Sequence, residues 1–472
     1  MSESKSLLAL LRRTAEPAAA AAIEAMITDG SDASLCRINV MDFAKRVGVT
    51  DDQAIAAFLH ASRLGIFEMQ WNVLCPSCGG VLDSNTTLKS VQSKEYHCAF
   101  CATGYEPTLD EMVEVTFTVD PRIRRIAAHD PDTLAPIDYY KQLFWGSWAD
   151  LPSDMGGALD RIMLDNIELL PGQKANLSLH LPPCFVIVLE PVSHTAQFID
   201  VNGEATKERR NLSLLFTKLK VSNEMLELQP GPFRLAMENR TDRRLLPGIW
   251  VVGDELQQLL ARRKPFLTAK RLFTNQTFRD LYRTDALNAD QRFKITSLTF
   301  LFTDLKGSTA LYDRVGDLRA YDIVREHFDL LNKIVATEAG AVVKTIGDAV
   351  MATFETSAHA VRAALKMRQE ISHVGAVDDD HAQVGDLFLK IGIHEGPCLA
   401  VMLNDRQDYF GQTVNIAARV QGLADSDAIL ATGAVVEKAA TATFLKEAGI
   451  RPMAERHALR GVASELTLYQ IA

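Results

Sequence analysis

The sequence predicts a multidomain chain: a small helical module, a cysteine-rich knuckle and a mainly-β sandwich, followed by a C-terminal α/β domain. Three observations carry that prediction. The chain has 472 residues, too many for one core at roughly 100–200 residues per domain. Its hydrophobic period is helical near the N-terminus and shifts to two between about residues 110 and 255. After residue 296 the order reads strand, helix, hairpin, helix, strand. With 47% hydrophobic and 23% charged residues, the composition excludes a disordered, collagen-like or coiled-coil chain.

In residues 1–74, Leu7, Leu8, Leu10 and Leu11 open an amphipathic segment that runs into the Ala-rich stretch 18–26. Met41–Val47 reads as a short helix and Gly48-Val49 as a turn; Thr50 with Gln53 makes a capping box opening a second helix that ends at Gly65. Ile66–Leu74 is a strand. Helix, tight turn, helix, strand is a winged-helix-like layout. The helix that would enter a DNA groove begins with Asp51 and Asp52, the wrong sign for phosphates. The formal net charge of −10 also opposes nucleic-acid and anionic-membrane binding. A packing or partner-binding module is expected, with no nucleic acid as partner.

Residues 75–108 hold Cys75-Pro76-Ser77-Cys78 and, nineteen residues on, Cys98-Ala99-Phe100-Cys101. Each pair can present two thiolates from a tight knuckle, and four soft thiolates select tetrahedral zinc. The spacing resembles a zinc ribbon. Cys75, Cys78, Cys98 and Cys101 would fill the coordination shell, so the site is structural, with His97 a bystander. Paired CxxC motifs also point to a reducing compartment, the cytoplasm. No apolar run approaches the ~20 residues that span a bilayer, and the N-terminus shows no signal-peptide pattern.

Residues 109–258 carry the period-two pattern. Leu177, Leu179 and Leu181 alternate with Asn176, Ser178 and His180, and further strands are expected over Val186–Leu189, Gln197–Val201, Leu212–Val221, Met225–Leu228 and Phe233–Glu238. Turn residues such as Asn202-Gly203 and Pro230-Gly231 separate them, which suggests an antiparallel sandwich. Nothing in this region names its ligand or partner. Residues 259–294 read as a solvated linker helix: Arg263, Lys264, Lys270, Arg271 and Arg279 are interleaved with Phe266, Phe273, Phe278 and Tyr282, in a basic stretch reaching Arg283.

Residues 295–472 carry the chemistry. Leu298–Thr303 is a strand that stops at Asp304, followed by Leu305-Lys306-Gly307-Ser308-Thr309, small and polar enough for backbone amides to meet an anion at a helix start. Ala341–Ile346 and Ala349–Phe354 form a hairpin around Gly347-Asp348. Asp304 and Asp348 could therefore meet around one hard cation, Mg²⁺ or Mn²⁺. His394 and Glu395 are read as strand-end structural residues and Cys398 as buried.

Three motifs occur in order: Phe302-Thr303-Asp304-Leu305-Lys306-Gly307-Ser308-Thr309; Lys344-Thr345-Ile346-Gly347-Asp348-Ala349; and Asp408-Tyr409-Phe410-Gly411-Gln412-Thr413-Val414-Asn415-Ile416-Ala417-Ala418-Arg419. Together they resemble the class III nucleotidyl cyclase catalytic domain; the preceding region is similar to the uncharacterised N-terminal regions of bacterial cyclases. The resemblance implies a ferredoxin-like sheet covered by helices, two divalent metals on Asp304 and Asp348 with the Leu305 carbonyl, and phosphate contacts at Lys306, Gly307 and Ser308. It implies base recognition by Lys344 and Asp408, which points to ATP and cyclic AMP. Asn415 and Arg419 would orient the ribose and steady the transition state, and Arg460 stands where the family usually has a lysine on the terminal phosphates. A homodimer with composite sites is implied as well. The alternatives are a guanylate cyclase and a non-catalytic cyclase-like scaffold.

Overall fold

The computed structural model describes residues 2–92, 94–152, 154–217, 225–282, 287–371, 388–403, 406–425, 427–462 and 465–471. They make two compact units, Met1–Pro107 with Glu111–Leu267, and Thr108–Asp110 with Thr268–Ala472.

The first unit opens with α1 (Ser2–Thr14) and α2 (Pro17–Asp29). The sequence reads as one run here, but Pro17 cannot continue a helix and instead starts a new one. Helix α3 (Val40–Val47) and α4 (Asp51–Arg63) follow. In the capping box of α4, the Gln53 amide donates to the Thr50 hydroxyl at 3.2 Å, and the Thr50 amide to the Gln53 side-chain oxygen at 2.9 Å. Next come β1 (Phe67–Leu74), β2 (Val81–Asn85), the hairpin of β3 (Tyr96–Cys98) and β4 (Thr103–Tyr105), and β5 (Val113–Val119). β1 is the centre of an antiparallel sheet ordered β2-β1-β5, which crosses the boundary expected at residue 74. Phe58 of α4 anchors the helices on it, with ring centroids 4.9 Å from Phe43, 5.3 Å from Phe67 and 5.2 Å from Phe117.

The remainder of this unit holds α5 (Pro136–Tyr139), α6 (Met155–Ile162), β6 (Met163–Asn166), β7 (Lys174–Leu181), β8 (Cys184–Glu190), β9 (Thr195–Val201), β10 (Arg210–Phe216), β11 (Leu226–Leu228), β12 (Gly231–Asn239), β13 (Gly248–Val252) and α7 (Asp254–Ala261). Two sheets, β10-β12-β7 and β11-β9-β8-β13-β6, share a core that includes Leu181, Val188, Ile199, Leu235 and Ile249. They are not purely antiparallel: β10 runs parallel to β12, and β11 to β9. The turn residues that suggested hairpins mark where a strand ends, not which strand it pairs with. β10 ends at Phe216, and residues 218–221 of the strand expected there lie outside the described residues.

In the second unit the single linker helix expected over 259–294 is replaced by α8 (Ala269–Phe273) and α9 (Gln276–Leu281). Two N-caps break it: Thr268 accepts from the Arg271 amide and Asn275 from the Phe278 amide. Nor is it solvated. Phe273, Phe278 and Tyr282 stack in sequence at 5.8 and 5.2 Å, and Arg271 is buried and donates to the Ala339 carbonyl. Arg283 lies outside the described residues.

The main body consists of β14 (Arg292–Lys306), α10 (Ser308–Thr337), β15 (Gly340–Ile346), β16 (Ala349–Phe354), α11 (Ser357–Glu370), β17 (Phe388–Leu403), β18 (Arg406–Phe410), α12 (Gln412–Leu423), β19 (Ile429–Thr432), α13 (Gly433–Val436), α14 (Ala439–Glu447), β20 (Met453–His457) and β21 (Leu466–Gln470). The sheet order is β15-β16-β14-β17-β19-β21-β20, with β18 paired to β17. The first four strands, with α10 and α11, follow β-α-β-β-α-β order, and their antiparallel pairing makes the sheet ferredoxin-like. Its core lies under α10 and α11 around Leu301, Ile334, Phe354 and Met367. The excursion Thr108–Asp110 meets β14 where its pairing with β17 is irregular, between Ile295 and Leu298. There the Asp110 carboxylate accepts from the amides of Thr296 at 2.8 Å and Ser297 at 3.2 Å. Among the described residues no helix is long and apolar enough to cross a membrane.

Candidate active site and cysteine centre

Strand β14 runs two residues past Asp304, the expected stop, because Leu305 and Lys306 still pair with β17. Its pairing with β16 aligns Thr303 with Val350 and so brings Asp304 near Asp348 at the hairpin tip. Burial and the charge of Asp348 push the Asp304 carboxyl up, while Lys390 and a hydrogen bond from Gln421 pull it down. Asp348 Oδ2 is buried with no partner among the described residues, and its backbone carbonyl meets His327 Nε2 at 3.3 Å. Two adjacent carboxylates, one raised by the other and one with an orphaned oxygen, form a donor set suited to a hard divalent cation.

Beside this pair, Lys306 is exposed and Gly307 takes a φ of +81° at the start of α10, a conformation that favours glycine. The helix start leaves amides without intrahelical partners. The backbone of Ser308 belongs to that first turn; its side chain lies outside the described residues.

Lys344 follows a register shift in β15, between Val342 and Lys344. Its ammonium donates to Asp408 Oδ2 at 2.5 Å, while Asp408 Oδ1 accepts from the Tyr409 amide at 2.8 Å. Asp408 is buried on β18 and Lys344 is half-buried. Asn415 and Arg419 lie four apart on α12. Helix α12 packs against β17 so closely that a Cβ at Gly392 would stand 2.1 Å from the Gln421 amide nitrogen. A Cβ at Gly461 would stand 3.4 Å from an Arg419 guanidinium nitrogen, which puts the loop carrying exposed Arg460 beside Arg419.

The four cysteines converge in the first unit, with ligand atoms within 4.8 Å of one another. Cys75 and Cys101 sulfurs are 3.7 Å apart, as are those of Cys78 and Cys98. Tetrahedral zinc with bonds of ~2.3 Å requires sulfurs ~3.8 Å apart, so this set fits the ion. The knuckles follow from local structure. The Gly79 amide donates to the Cys75 carbonyl, the Cys75 amide to that of Gly80, and the second pair sits on the β3–β4 hairpin.

The model of the family of unknown function DUF5939 matches residues 1–280, and that of the adenylate and guanylate cyclase catalytic domain matches residues 291–470. The chain belongs to DUF5939 and ends in a class III cyclase domain. It is 32% identical over 160 residues to an adenylate cyclase of Mycosarcoma maydis, covering 30% of this chain and 6% of that one. It is 26% identical over 208 residues to the receptor-type adenylate cyclase GRESAG 4.1 of Trypanosoma brucei brucei, covering 37% and 16%. The chain thus spans only a small part of the curated relatives it matches. Among solved structures it is similar to the adenylyl cyclase CyaB from P. aeruginosa, at 20% identity and a TM-score of 0.34, over 39% of this chain and 96% of that one.

Within the cyclase domain, His394 and Glu395 lie inside β17 rather than at its end. Both are engaged: His394 Nδ1 meets the Thr432 hydroxyl at 2.7 Å, and Glu395 accepts from Ser297 and pairs with Lys438 at 3.0 Å. Burial holds His394 down at about 4 and pushes the Cys398 thiol up to about 12. Sequence reasoning missed His327, Lys390 and Gln421 around the aspartates. Gln421 alone had a signal, two residues beyond Arg419 on the same helix.

Proposed function

We propose that the chain is an adenylate cyclase, converting ATP to 3′,5′-cyclic AMP and pyrophosphate at sites shared between two copies of its cyclase domain. The observation that carries the reading is the Lys344–Asp408 pair. An ammonium donor beside a carboxylate acceptor complements the ring nitrogen and exocyclic amine of adenine; guanine presents the opposite pattern at that edge. The Tyr409 amide holds Asp408 Oδ1, and Oδ2, which accepts from Lys344 in this structure, faces the ammonium with which it would share the base. Asp304, Asp348 and the Leu305 carbonyl would hold two Mg²⁺ or Mn²⁺ ions, which supply activation of the ribose 3′-OH and charge neutralisation at the α-phosphate.

The chain's own groups do the positioning. Amides at the start of α10, with Lys306, Gly307 and Ser308, receive phosphate oxygens. Asn415 orients the ribose so that its 3′-oxygen faces the α-phosphorus in line, and Arg419 counters the charge that develops there. Arg460 contacts the terminal phosphates with a wider fork than lysine has. Ile346 and Phe410, 53% and 66% exposed, flank the base pair in sequence and supply apolar surface for the second copy of a homodimer.

The four cysteines hold one structural zinc in a zinc ribbon, between a winged-helix-like module and the β sandwich. These N-terminal parts regulate the cyclase by binding an effector or partner protein. A metal-binding thiolate set of this kind supports a reducing compartment, the cytoplasm, as the location of the chain. The test is product formation by purified protein with ATP or GTP and Mg²⁺ or Mn²⁺. Cyclic AMP from ATP is expected, with much less cyclic GMP from GTP. No cyclic nucleotide under any of the four conditions would refute the assignment.

A further inference from the structure

The two strands that carry Lys344 and Asp408 are not paired with each other. Among the described residues β15 is an edge strand bonded only to β16, and β18 is bonded only to β17. The register shift in β15 leaves Val343 as an extra residue immediately before Lys344. A bulge at an edge re-aims the next side chain and leaves backbone carbonyls without ladder partners. Such a strand does not by itself hold an ammonium at a fixed distance from a carboxylate on another strand.

Helix α9 supplies the missing partners. Gln276 accepts from the Val342 amide at 2.8 Å. Arg279, one turn on, donates through Nε to the Val342 carbonyl at 3.1 Å, and through Nη2 to the Val343 carbonyl at 3.3 Å and the Gln407 carbonyl at 2.9 Å. Val343 and Gln407 are the residues directly before Lys344 and Asp408. One rigid, planar guanidinium therefore ties together the two backbones from which the base-reading pair projects. A lysine at this position would keep the charge but lose the fork that reaches both strands at once.

We propose that Arg279 is a positioning residue that sets the spacing of the Lys344–Asp408 pair and through it the preference for ATP over GTP. It acts from outside the matched cyclase domain, in the last residues of the DUF5939 match. The inference rests on the base-reading role proposed above. Its physical basis is that displacement of a reacting or recognising group by about 1 Å can cost about a hundredfold, and that a polar base pocket discriminates only while its donor and acceptor are aligned.

The experiment measures kcat and KM for ATP and GTP in wild type, Arg279→Ala, Arg279→Lys, Gln276→Ala and the double variant Lys344→Glu/Asp408→Cys, with thermal melting of each. Arg279→Ala and Arg279→Lys should both lower the ATP-over-GTP ratio of kcat/KM by about tenfold or more, chiefly through a higher KM for ATP. Gln276 bonds β15 and, within its own helix, Asp280, but not the Gln407 carbonyl of β18, so Gln276→Ala should leave the ratio in place. Arg279→Lys, with its stem and charge intact, keeps the proposal testable if the alanine variant does not fold. A purely structural role would scale both substrates alike, so an unchanged ratio in folded Arg279 variants, while the double variant shifts it, overturns the proposal and spares the base-reading pair. A ratio shifted equally by Gln276→Ala also overturns it, since docking of the helix would then be the cause. If even the double variant leaves the ratio unmoved, the base reading fails and this inference falls with it.

Discussion

Replacing Gly392 with alanine tests whether the fit of α12 on the sheet sets the catalytic geometry. The added Cβ would stand 2.1 Å from the Gln421 amide nitrogen, 2.4 Å from its Cα and 2.6 Å from its Cβ. The nearest atoms are backbone, so no rotamer change relieves the clash. To reach the ~3.4 Å of an ordinary contact, α12 must retreat by about 1.3 Å at Gln421, two residues from Arg419. Overpacking of this kind costs about 1–3 kcal/mol, here toward the upper end, or about 4–10 °C in Tm for a unit of this size. The displacement should lower kcat by about a hundredfold, because Gln421, Arg419 and Asn415 ride on the same helix. Gly422→Ala is the matched control. Its Cβ meets nothing within 4 Å, so the helix should gain about 0.5–1 kcal/mol with turnover unchanged. The assay is initial-rate cyclic AMP formation alongside calorimetric melting. Wild-type turnover and Tm in Gly392→Ala would refute the claim that this contact fixes the site.

Other outcomes follow from the same geometry. Asp304→Ala and Arg419→Ala homodimers should each be nearly inactive, yet co-expression should restore about a quarter of wild-type activity, since mixed dimers hold one undamaged site; confirmed mixed dimers without recovery would place both residues in one protomer's site. Elemental analysis should find about one zinc per chain. Cys75→Ser, or a zinc chelator in excess Mg²⁺, should lower the melting of the first unit while leaving that of the second; an intact first unit without zinc would exclude the structural role. The neutral His394 imidazole, held at about 4, makes the cyclase unit sensitive to acid. The unfolded chain takes up that proton near ~6.5, so stability is full above that pH and falls until about pH 4, by about 3 kcal/mol at most. His327, also lowered by burial, adds to the same slope. His394→Gln should flatten the Tm-against-pH curve between these limits; parallel curves would show that His394 does not carry the dependence.

The parts of the site that were legible in the sequence are those whose partners are local or whose strands are joined by a tight turn. Asp304 and Asp348 could be paired on paper because a two-residue hairpin at Gly347-Asp348 fixes one of them and the end region of a strand fixes the other. The cysteine centre was legible for the same reason, two short knuckles at matched spacing. Arg279 was not. Its acceptors are backbone carbonyls at Val342, Val343 and Gln407, which carry no side-chain signature, and α9 is too short to show a helical period. Basic residues interleaved with aromatics then read as a solvated linker, although Phe273 and Phe278 are buried. β5 was not among the expected strands although Val113, Val115, Phe117 and Val119 alternate with Glu114, Thr116 and Thr118; in the fold the polar positions are buried as well. Parallel pairing of β10 with β12 left no trace either, since a period of two reports which face is covered and not the direction of the neighbour.

The three residues Thr108–Asp110 bear on how such chains are inherited. A gene segment cut at the edge of the matched cyclase domain, residue 291, would encode Asp304, Asp348 and every other proposed nucleotide contact. It would nevertheless lose the carboxylate that satisfies the Thr296 and Ser297 amides, and with it the helix that finishes the open edge of β15. The cyclase of this chain is therefore not a cassette that recombination can lift out and attach elsewhere without repair. Residues that precede the matched cyclase domain in sequence belong to the same compact unit, so exchange between relatives should succeed at seams other than the one the domain border suggests.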